Sequence, residues 1–143
     1  MQISGQCHCG AISFTATVEE PKAVVCHCND CQQFSGAPFR AVLPIEAGFV
    51  SLSGEPKQYV KTAESGTRRA QASCPECGTQ LYAADPVSPT VLSFRLRCIN
   101  ERAQLLPTVQ LWGQSAMPWL HSLSAIPTHT KGIASELMDA PTA

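Results

Sequence analysis

Residues 26–31 read Cys-His-Cys-Asn-Asp-Cys and place three cysteines within a six-residue segment. A thiolate is a soft anionic ligand, and zinc is a common cellular ion that binds several thiolates at once. In an extended backbone Cys26 and Cys28 point to the same side, and the Cys28-x-x-Cys31 spacing is typical of a zinc knuckle. Three ligands from one segment leave one tetrahedral position free. The segment therefore predicts a zinc site that can accept water or a substrate.

Two further cysteine pairs lie on either side of this segment in the chain. Cys7 and Cys9 precede one glycine, and Cys74 and Cys77 precede another. Glycine at such a position allows the tight turn that brings backbone N–H groups toward the sulfurs. Together the two pairs predict a closed, structural site of four cysteines, in which metal binding supplies folding free energy. The spacing leaves an alternative open, in which the three-cysteine segment shares an ion with Cys7 or Cys9.

The total of eight cysteines can also be explained without a metal. In a secreted chain they would indicate four disulfides, but seven of the eight fall in three tight clusters and no signal peptide is visible. A redox switch built from the three-cysteine segment is a further alternative. The eighth, Cys98, lies alone at the end of a predicted strand, where we expect a small buried side chain. Metal binding explains the clustering best.

The composition indicates one globular domain made of short elements. The chain has 143 residues, of which 44% are hydrophobic and 15% charged, so it can bury a substantial core. Eleven prolines and nine glycines favour short strands and turns over long helices. We expect one zinc-binding domain over residues 1–130 and a frayed tail over residues 131–143.

The charge and the N-terminus favour some partners and exclude others. A net charge of −1 provides no general electrostatic attraction to nucleic acid. No stretch is long and apolar enough to span a bilayer, so we expect no membrane partner. With no signal peptide visible, the expected location is cytoplasmic. The sequence does not determine the oligomeric state.

Alternating apolar and polar residues predict that the fold is mainly β. Ile12, Phe14, Ala16 and Val18 alternate with polar residues, which is the pattern of a half-buried strand. Further short strands are predicted at residues 39–43, 49–52, 59–60, 80–83 and 90–96.

Four groups of residues occur in a characteristic order along the chain. They are Gly5-Gln6-Cys7-His8-Cys9-Gly10-Ala11-Ile12-Ser13-Phe14, then Cys26-His27-Cys28 to Cys31-Gln32 with Gly36-Ala37-Pro38-Phe39, then Cys74-x-x-Cys77-Gly78-Thr79-x-Leu81, and Pro118-Trp119. Over roughly residues 2–127 the chain resembles the glutathione-dependent formaldehyde-activating enzyme family, which includes the centromere protein V-like domain. The resemblance implies an Mss4-like fold of small antiparallel sheets clamped by zinc.

The resemblance also implies that two zinc ions are bound per chain. It implies a structural zinc held by Cys7, Cys9, Cys74 and Cys77. It implies a second, catalytic-type zinc, with glutathione bound near it, held by Cys26, Cys28 and Cys31. The expected activity is that of a carbon–sulfur lyase, similar to S-(hydroxymethyl)glutathione synthase, acting on a thiol adduct of a small electrophile such as an aldehyde. The alternative is a non-catalytic zinc-binding module for a protein or thiol partner.

Glutathione carries two carboxylates, which need cationic or N–H partners. The candidate cations are Arg40, Arg68, Arg69, Arg95 and Arg97.

Overall fold

The computed structural model describes residues 1–139, which contain ten strands and one α-helix. The strands are β1 Gln2–Gln6, β2 Ser13–Thr17, β3 Ala23–Cys26, β4 Arg40–Glu46, β5 Val50–Ser53, β6 Lys57–Thr62, β7 Arg68–Ser73, β8 Gln80–Ala84, β9 Val91–Arg95 and β10 Pro107–Leu111. The helix is α1, Asn29–Ser35. Short 3-10 segments lie at Ala47–Phe49, Leu96–Cys98, Arg102–Gln104, Gly113–Ser115 and Pro118–Ala125. The prediction of a mainly β fold is confirmed.

The strands form two sheets of unequal size. The small sheet has the order β1-β2-β5 and is antiparallel. The large sheet has the order β10-β3-β4-β9-β8-β7-β6, in which β10 runs parallel to β3 and every other pair is antiparallel. The chain therefore brings residues 107–111 back to lie beside the strand that ends in the three-cysteine segment.

The hydrophobic core lies between the two sheets. Phe14 of β2 stacks on Phe94 of β9 with ring centroids 4.1 Å apart, and both side chains are buried. Leu43 and Leu81 of the large sheet belong to the same buried cluster. The alternation predicted around Phe14 is confirmed, because Phe14 and Ala16 are buried while the threonines beside them are exposed.

The other face of the large sheet is covered in part by α1. Lys61 of β6 pairs with Asp30 of α1 at 2.6 Å, and Tyr59 lies against Phe34 with ring centroids 6.1 Å apart. Successive side chains on a strand point to opposite faces. Because Phe94 points into the core between the sheets, its neighbours Ser93 and Arg95 point to the face that α1 covers in part.

Several elements differ from the sequence-based prediction. No strand is predicted after residue 96, but residues 107–111 form β10. The helix α1 and the strand β7 were not predicted either. Residues 131–139 are hydrogen-bonded to the segment that precedes them. Thr130 N–H donates to Glu136 O (2.9 Å), and Met138 N–H donates to Thr128 O (2.7 Å). The last four residues of the expected frayed tail, 140–143, lie outside the described residues, and the boundary at residue 130 stays a prediction.

None of the helices in residues 1–139 combines the length and the apolar character needed to cross a membrane.

Candidate metal centres

One group of four cysteines joins the two sheets. The Sγ atoms of Cys7, Cys9, Cys74 and Cys77 all lie within 4.8 Å of one another. The Sγ–Sγ distances are 3.6 Å for Cys7 and Cys9 and 3.7 Å for Cys9 and Cys74. Four sulfurs placed tetrahedrally at about 2.3 Å from a zinc ion would be about 3.8 Å apart. The spacing of the donors therefore fits a tetrahedral thiolate site for a metal such as zinc.

Both turns of this four-cysteine cluster depend on a glycine with a left-handed backbone. Gly10 has φ 81° and Gly78 has φ 73°, values that a side chain disfavours. Each glycine closes its turn by donating its N–H to a cysteine carbonyl, Gly10 to Cys7 at 3.2 Å and Gly78 to Cys74 at 3.0 Å. Ile12 N–H donates to Cys7 Sγ at 3.3 Å. The tight turns predicted at these glycines are confirmed.

The two turns also contact each other directly. His8 N–H donates to the Thr79 hydroxyl oxygen at 3.0 Å, and Thr79 Oγ1 lies 3.1 Å from Cys77 Sγ. Hydrogen bonds from Thr79, through its hydroxyl and its N–H, and from the Cys9 backbone lower the pKa of Cys77 to about 5. This environment favours the thiolate form of Cys77. The structure groups Cys7 and Cys9 with Cys74 and Cys77 and not with the three-cysteine segment.

The second group consists of Cys26, Cys28 and Cys31, whose Sγ atoms also lie within 4.8 Å of one another. Cys26 ends β3, Cys28 is the N-cap of α1, and Cys31 lies in the first turn of that helix. Cys31 N–H donates to Cys28 Sγ at 3.4 Å. Among residues 1–139, no cysteine, histidine, aspartate or glutamate adds a fourth ligand atom to this group. Burial raises the pKa of both Cys26 and Cys31, so their thiolates need a nearby cation.

Hydrogen bonds from His27 and Gln32 to the C-terminal half of the chain hold this three-cysteine cluster in place, and we call this set of bonds the frame. The ring of His27 is buried, and its Nε2 lies 2.8 Å from Gln110 Oε1. Because an amide oxygen only accepts, Nε2 carries the proton. Gln32 Nε2 donates to the carbonyls of His27 (2.7 Å) and Ser115 (2.9 Å), and His27 N–H donates to Leu111 O at 3.0 Å. The role of Gln110 was missed because β10 was not predicted.

A cleft of about 590 Å³ is lined by Val25 and His27, the two neighbours of Cys26 along the chain. Its lining is largely apolar and includes Phe39, Val109 and Leu123, with His121 at one wall. Since successive residues of β3 point to opposite faces, the side chain of Cys26 faces the other side of the large sheet, toward α1.

The eighth cysteine belongs to neither cluster. Cys98 is buried, its thiol donates to Gln80 O at 3.2 Å, and burial raises its pKa to about 11. All eight cysteines are free of disulfides in the structure. The expectation of a small buried side chain at Cys98 is confirmed.

The fold and its two clusters define a mainly β protein with two sulfur-rich sites, each of which could hold a metal ion. Residues 2–115 match the model of the family described as glutathione-dependent formaldehyde-activating enzyme. The match covers most of the chain. The chain therefore belongs to the glutathione-dependent formaldehyde-activating enzyme family.

Two further proteins are similar to this chain. A protein of Schizosaccharomyces pombe, described as an uncharacterized lyase, is 34% identical over 83 residues, which cover 58% of this chain and 58% of that protein. The chain therefore matches a little over half the length of this relative. The crystal structure of a Rhodobacter sphaeroides protein superposes with a TM-score of 0.55 and 17% identity, covering 76% of this chain and 98% of that one. At this identity the second relative shows the fold alone.

Proposed function

We propose that the protein is a zinc-dependent carbon–sulfur lyase or synthase that acts on the adduct of a thiol, such as glutathione, with a small electrophile such as an aldehyde. The family description names glutathione and formaldehyde, and the Schizosaccharomyces pombe relative is described as a lyase. The free cysteines suit a reducing compartment, so a cytoplasmic location is part of this proposal.

We assign a structural zinc to the four-cysteine cluster. Its ligands come from two turns, one in each sheet, and they fill all four tetrahedral positions. A closed site of this kind leaves no position for a substrate. Its zinc would tie the small sheet to the large sheet and contribute directly to the free energy of folding.

The single observation that supports an enzyme is the convergence of three sulfurs without a fourth ligand. Within the described residues, Cys26, Cys28 and Cys31 form a group of three, and neither Cys98 nor a histidine joins it. An open tetrahedral position distinguishes catalytic from structural zinc sites. We therefore assign a catalytic-type zinc to this cluster and name its three cysteines as the catalytic ligands.

The chemistry proposed at this cluster is reversible addition of a thiol to a carbonyl. Cys26, Cys28 and Cys31 would hold the zinc, which would supply a position where a further thiol is favoured as its thiolate. The thiol sulfur forms a bond to the carbonyl carbon, the carbonyl π electrons move to oxygen, and the thiol proton ends on the new hydroxyl. In reverse, the carbon–sulfur bond breaks and the aldehyde and thiol are released. The pairs His27–Gln110 and Gln32–Ser115 keep the cysteine segment in place.

The test compares cysteines inside and outside the cluster. We expect Cys28→Ser and Cys31→Ser to abolish turnover of formaldehyde with glutathione, followed by NMR, while thermal unfolding stays close to that of the wild type. Cys98→Ser is the control, because Cys98 lies outside both clusters and serine can still donate to Gln80. Full turnover in both cluster variants, with one zinc lost, would overturn the mechanism.

Zinc analysis after treatment with excess glutathione, together with an assay of the glutathione that stays bound, distinguishes the enzyme from the non-catalytic binding module. For the enzyme we expect two zinc ions per chain and one glutathione retained at the three-cysteine cluster. Two zinc ions that remain after excess glutathione, with no thiol retained, would favour the non-catalytic module instead.

A further inference from the structure

Three arginines lie on the face of the large sheet that α1 covers in part. They are Arg40 of β4, Arg69 of β7 and Arg95 of β9. The strand register places them on the same face as Cys26, which is the direct cross-strand neighbour of Arg40. These arginines therefore share their face with one ligand of the three-cysteine cluster.

Two of these guanidinium groups meet at one neutral side chain. Arg95 Nη2 donates to Gln71 Oε1 at 2.8 Å, and Arg40 Nη1 donates to the same oxygen at 3.0 Å. Arg95 is only 6% exposed and Gln71 5%. We call Arg40, Gln71 and Arg95 the arginine pair with its bridge. The amide of the bridge holds both cations in place and leaves their charge uncancelled.

The described residues supply no carboxylate that balances this charge. Over residues 1–139 the ion pairs are Lys22–Glu20 and Lys61–Asp30, and neither involves an arginine. Asp30 of α1 lies on this side of the sheet, but Lys61 already pairs with it at 2.6 Å. A buried cation without a partner destabilises a fold. The arrangement therefore indicates that a negative group other than a carboxylate lies nearby.

The three-cysteine cluster can supply that negative charge. Three thiolates around a divalent ion sum to a charge of about −1, and a fourth thiolate in the open position would bring it to about −2. Two guanidinium groups match this second charge in magnitude. The charges are close enough to interact, because Arg40 opposes the effect of burial on the pKa of Cys31, and Cys31 opposes the effect of burial on the pKa of Arg95.

We propose that the arginine pair with its bridge is the counter-charge of the three-cysteine metal centre, and that it sets how tightly this centre holds its metal and a fourth thiolate. This inference rests on the proposed function and adds positioning residues to it. Arg40 and Arg95 act through their charge on the ligands, so they need no opening to solvent. The neutrality of Gln71 matters, because a carboxylate there would accept the same two hydrogen bonds and cancel one positive charge.

Gln71→Glu tests the charge directly, since the side chain keeps its length. Zinc is withdrawn by a competing chelator, and the zinc retained by the same protein carrying Cys28→Ser is subtracted, which isolates the three-cysteine cluster. We expect Gln71→Glu to weaken zinc binding there about tenfold, the order expected for one unit charge near a partly buried site. Thermal unfolding in excess zinc should not fall below that of the wild type, because two ion pairs form.

The same substitution at a distant position is the control. Gln104→Glu adds an equal charge at an exposed residue, where solvent screens it, and should leave zinc binding unchanged. Zinc binding that is equally strong in Gln71→Glu and in the wild type would overturn the counter-charge.

Substitutions of Arg40 distinguish charge from shape. We expect Arg40→Met to weaken zinc binding at the three-cysteine cluster about tenfold and Arg40→Lys, which keeps the charge, to restore most of it. Arg68→Met is the matched control, because Arg68 is exposed and points to the other face of β7. Equal weakening in Arg40→Met and Arg40→Lys would mean that packing, and not charge, is what Arg40 supplies, and would overturn the inference.

Cobalt(II) in place of zinc reports on the fourth thiolate. The absorbance difference from the Cys28→Ser protein isolates the three-cysteine cluster. The probe is 2-mercaptoethanol, whose sulfur is its only group that becomes charged. We expect it to bind about tenfold more weakly to Gln71→Glu than to the wild type, because the bound thiolate adds negative charge to the centre. Equal binding to both proteins would contradict the inference for the thiolate-bound state.

These outcomes separate the failure of this inference from the failure of the proposed function. If the wild type binds two zinc ions and every variant holds them equally well, the counter-charge is wrong and the proposed function stands. If the wild type binds no zinc at Cys26, Cys28 and Cys31, the proposed function fails and the counter-charge fails with it.

Discussion

The two cysteine clusters use the same ligand chemistry but differ in how the chain assembles them. The four-cysteine cluster takes its ligands from turns that are far apart in sequence and lie in different sheets. The three-cysteine cluster takes all its ligands from residues 26–31 and is held in place by β10. The comparison indicates that ligands distant in sequence suit a cross-link. We infer that a local set of three ligands would leave a coordination position free, as the proposed function requires.

Removing one ligand from each cluster tests this comparison with the largest expected effect. A structural zinc site contributes on the order of 10 kcal/mol to folding, which is comparable to the whole stability of a domain of this size. We therefore expect Cys74→Ser to abolish cooperative unfolding and Cys28→Ser to preserve it. Circular dichroism during heating, with zinc analysis, measures both. A Cys74→Ser protein that melts within a few degrees of the wild type would contradict the assignment.

A second prediction concerns the packing between the sheets near the four-cysteine cluster. A methyl group on Gly5 would meet the carbonyl oxygen of Cys98 and the ring of Phe14. We expect Gly5→Ala to lower the free energy of unfolding by about 1–3 kcal/mol, as overpacking of a core does. Urea denaturation measures the change. Gly48→Ala is the control, because nothing lies within 4 Å of the added carbon there. An equal response of both variants would mean that the close approach at Gly5 is not what limits this position.

A third prediction concerns the frame around the three-cysteine cluster. Gln32→Ala removes the donors to His27 O and Ser115 O. We expect a loss of about 1–2 kcal/mol in stability, together with weaker thiol binding to the cobalt-loaded cluster. Gln33→Ala, at the exposed position next in sequence, should change neither quantity. If thiol binding is unchanged in Gln32→Ala, the frame does not position the cysteines.

The smallest predicted effect is a dependence on pH. Ser4 N–H donates to Glu101 Oε2 at 2.9 Å and, with the Ser4 hydroxyl, lowers the pKa of Glu101. A lowered pKa in the folded state stabilises the fold above the ordinary carboxyl pKa, and the contribution is lost as pH falls through the folded value. We expect Glu101→Gln to flatten the acid side of the stability profile, measured as the difference from the wild type. Glu55→Gln, at an exposed position, is the control. Identical acid profiles for the wild type and Glu101→Gln would remove this role.

The cysteine clusters were predictable because ligand spacing and the glycines that follow are local signals. The grouping of Cys7 and Cys9 with Cys74 and Cys77 followed from ligand counting and agrees with the structure. The strand β2 was also predictable, since its alternating pattern reflects one buried face.

The elements that were missed have no such signal. Every residue of β10 is exposed, and the strand begins with a proline, so no alternation marks it. The strand β7 was missed because a polar residue, Gln71, occupies one of its buried positions. The arginines that bond to Gln71 come from strands distant in sequence. The helix α1 spans seven residues and buries only Cys31. The sequence offers five candidate arginines, but the strand register that places Arg40, Arg69 and Arg95 on one face of the large sheet is visible only in the structure.

The separation of the two clusters along the chain also orders their assembly during translation. The ribosome produces the chain from its N-terminus, so all three ligands of the local cluster have been synthesised once Cys31 is added. Cys7 and Cys9 must wait for Cys77 before their own set is complete. The strand β10, which holds the local cluster in place, is synthesised later than either. The ligand set of the local cluster is therefore complete on the nascent chain before the sheets that surround it exist.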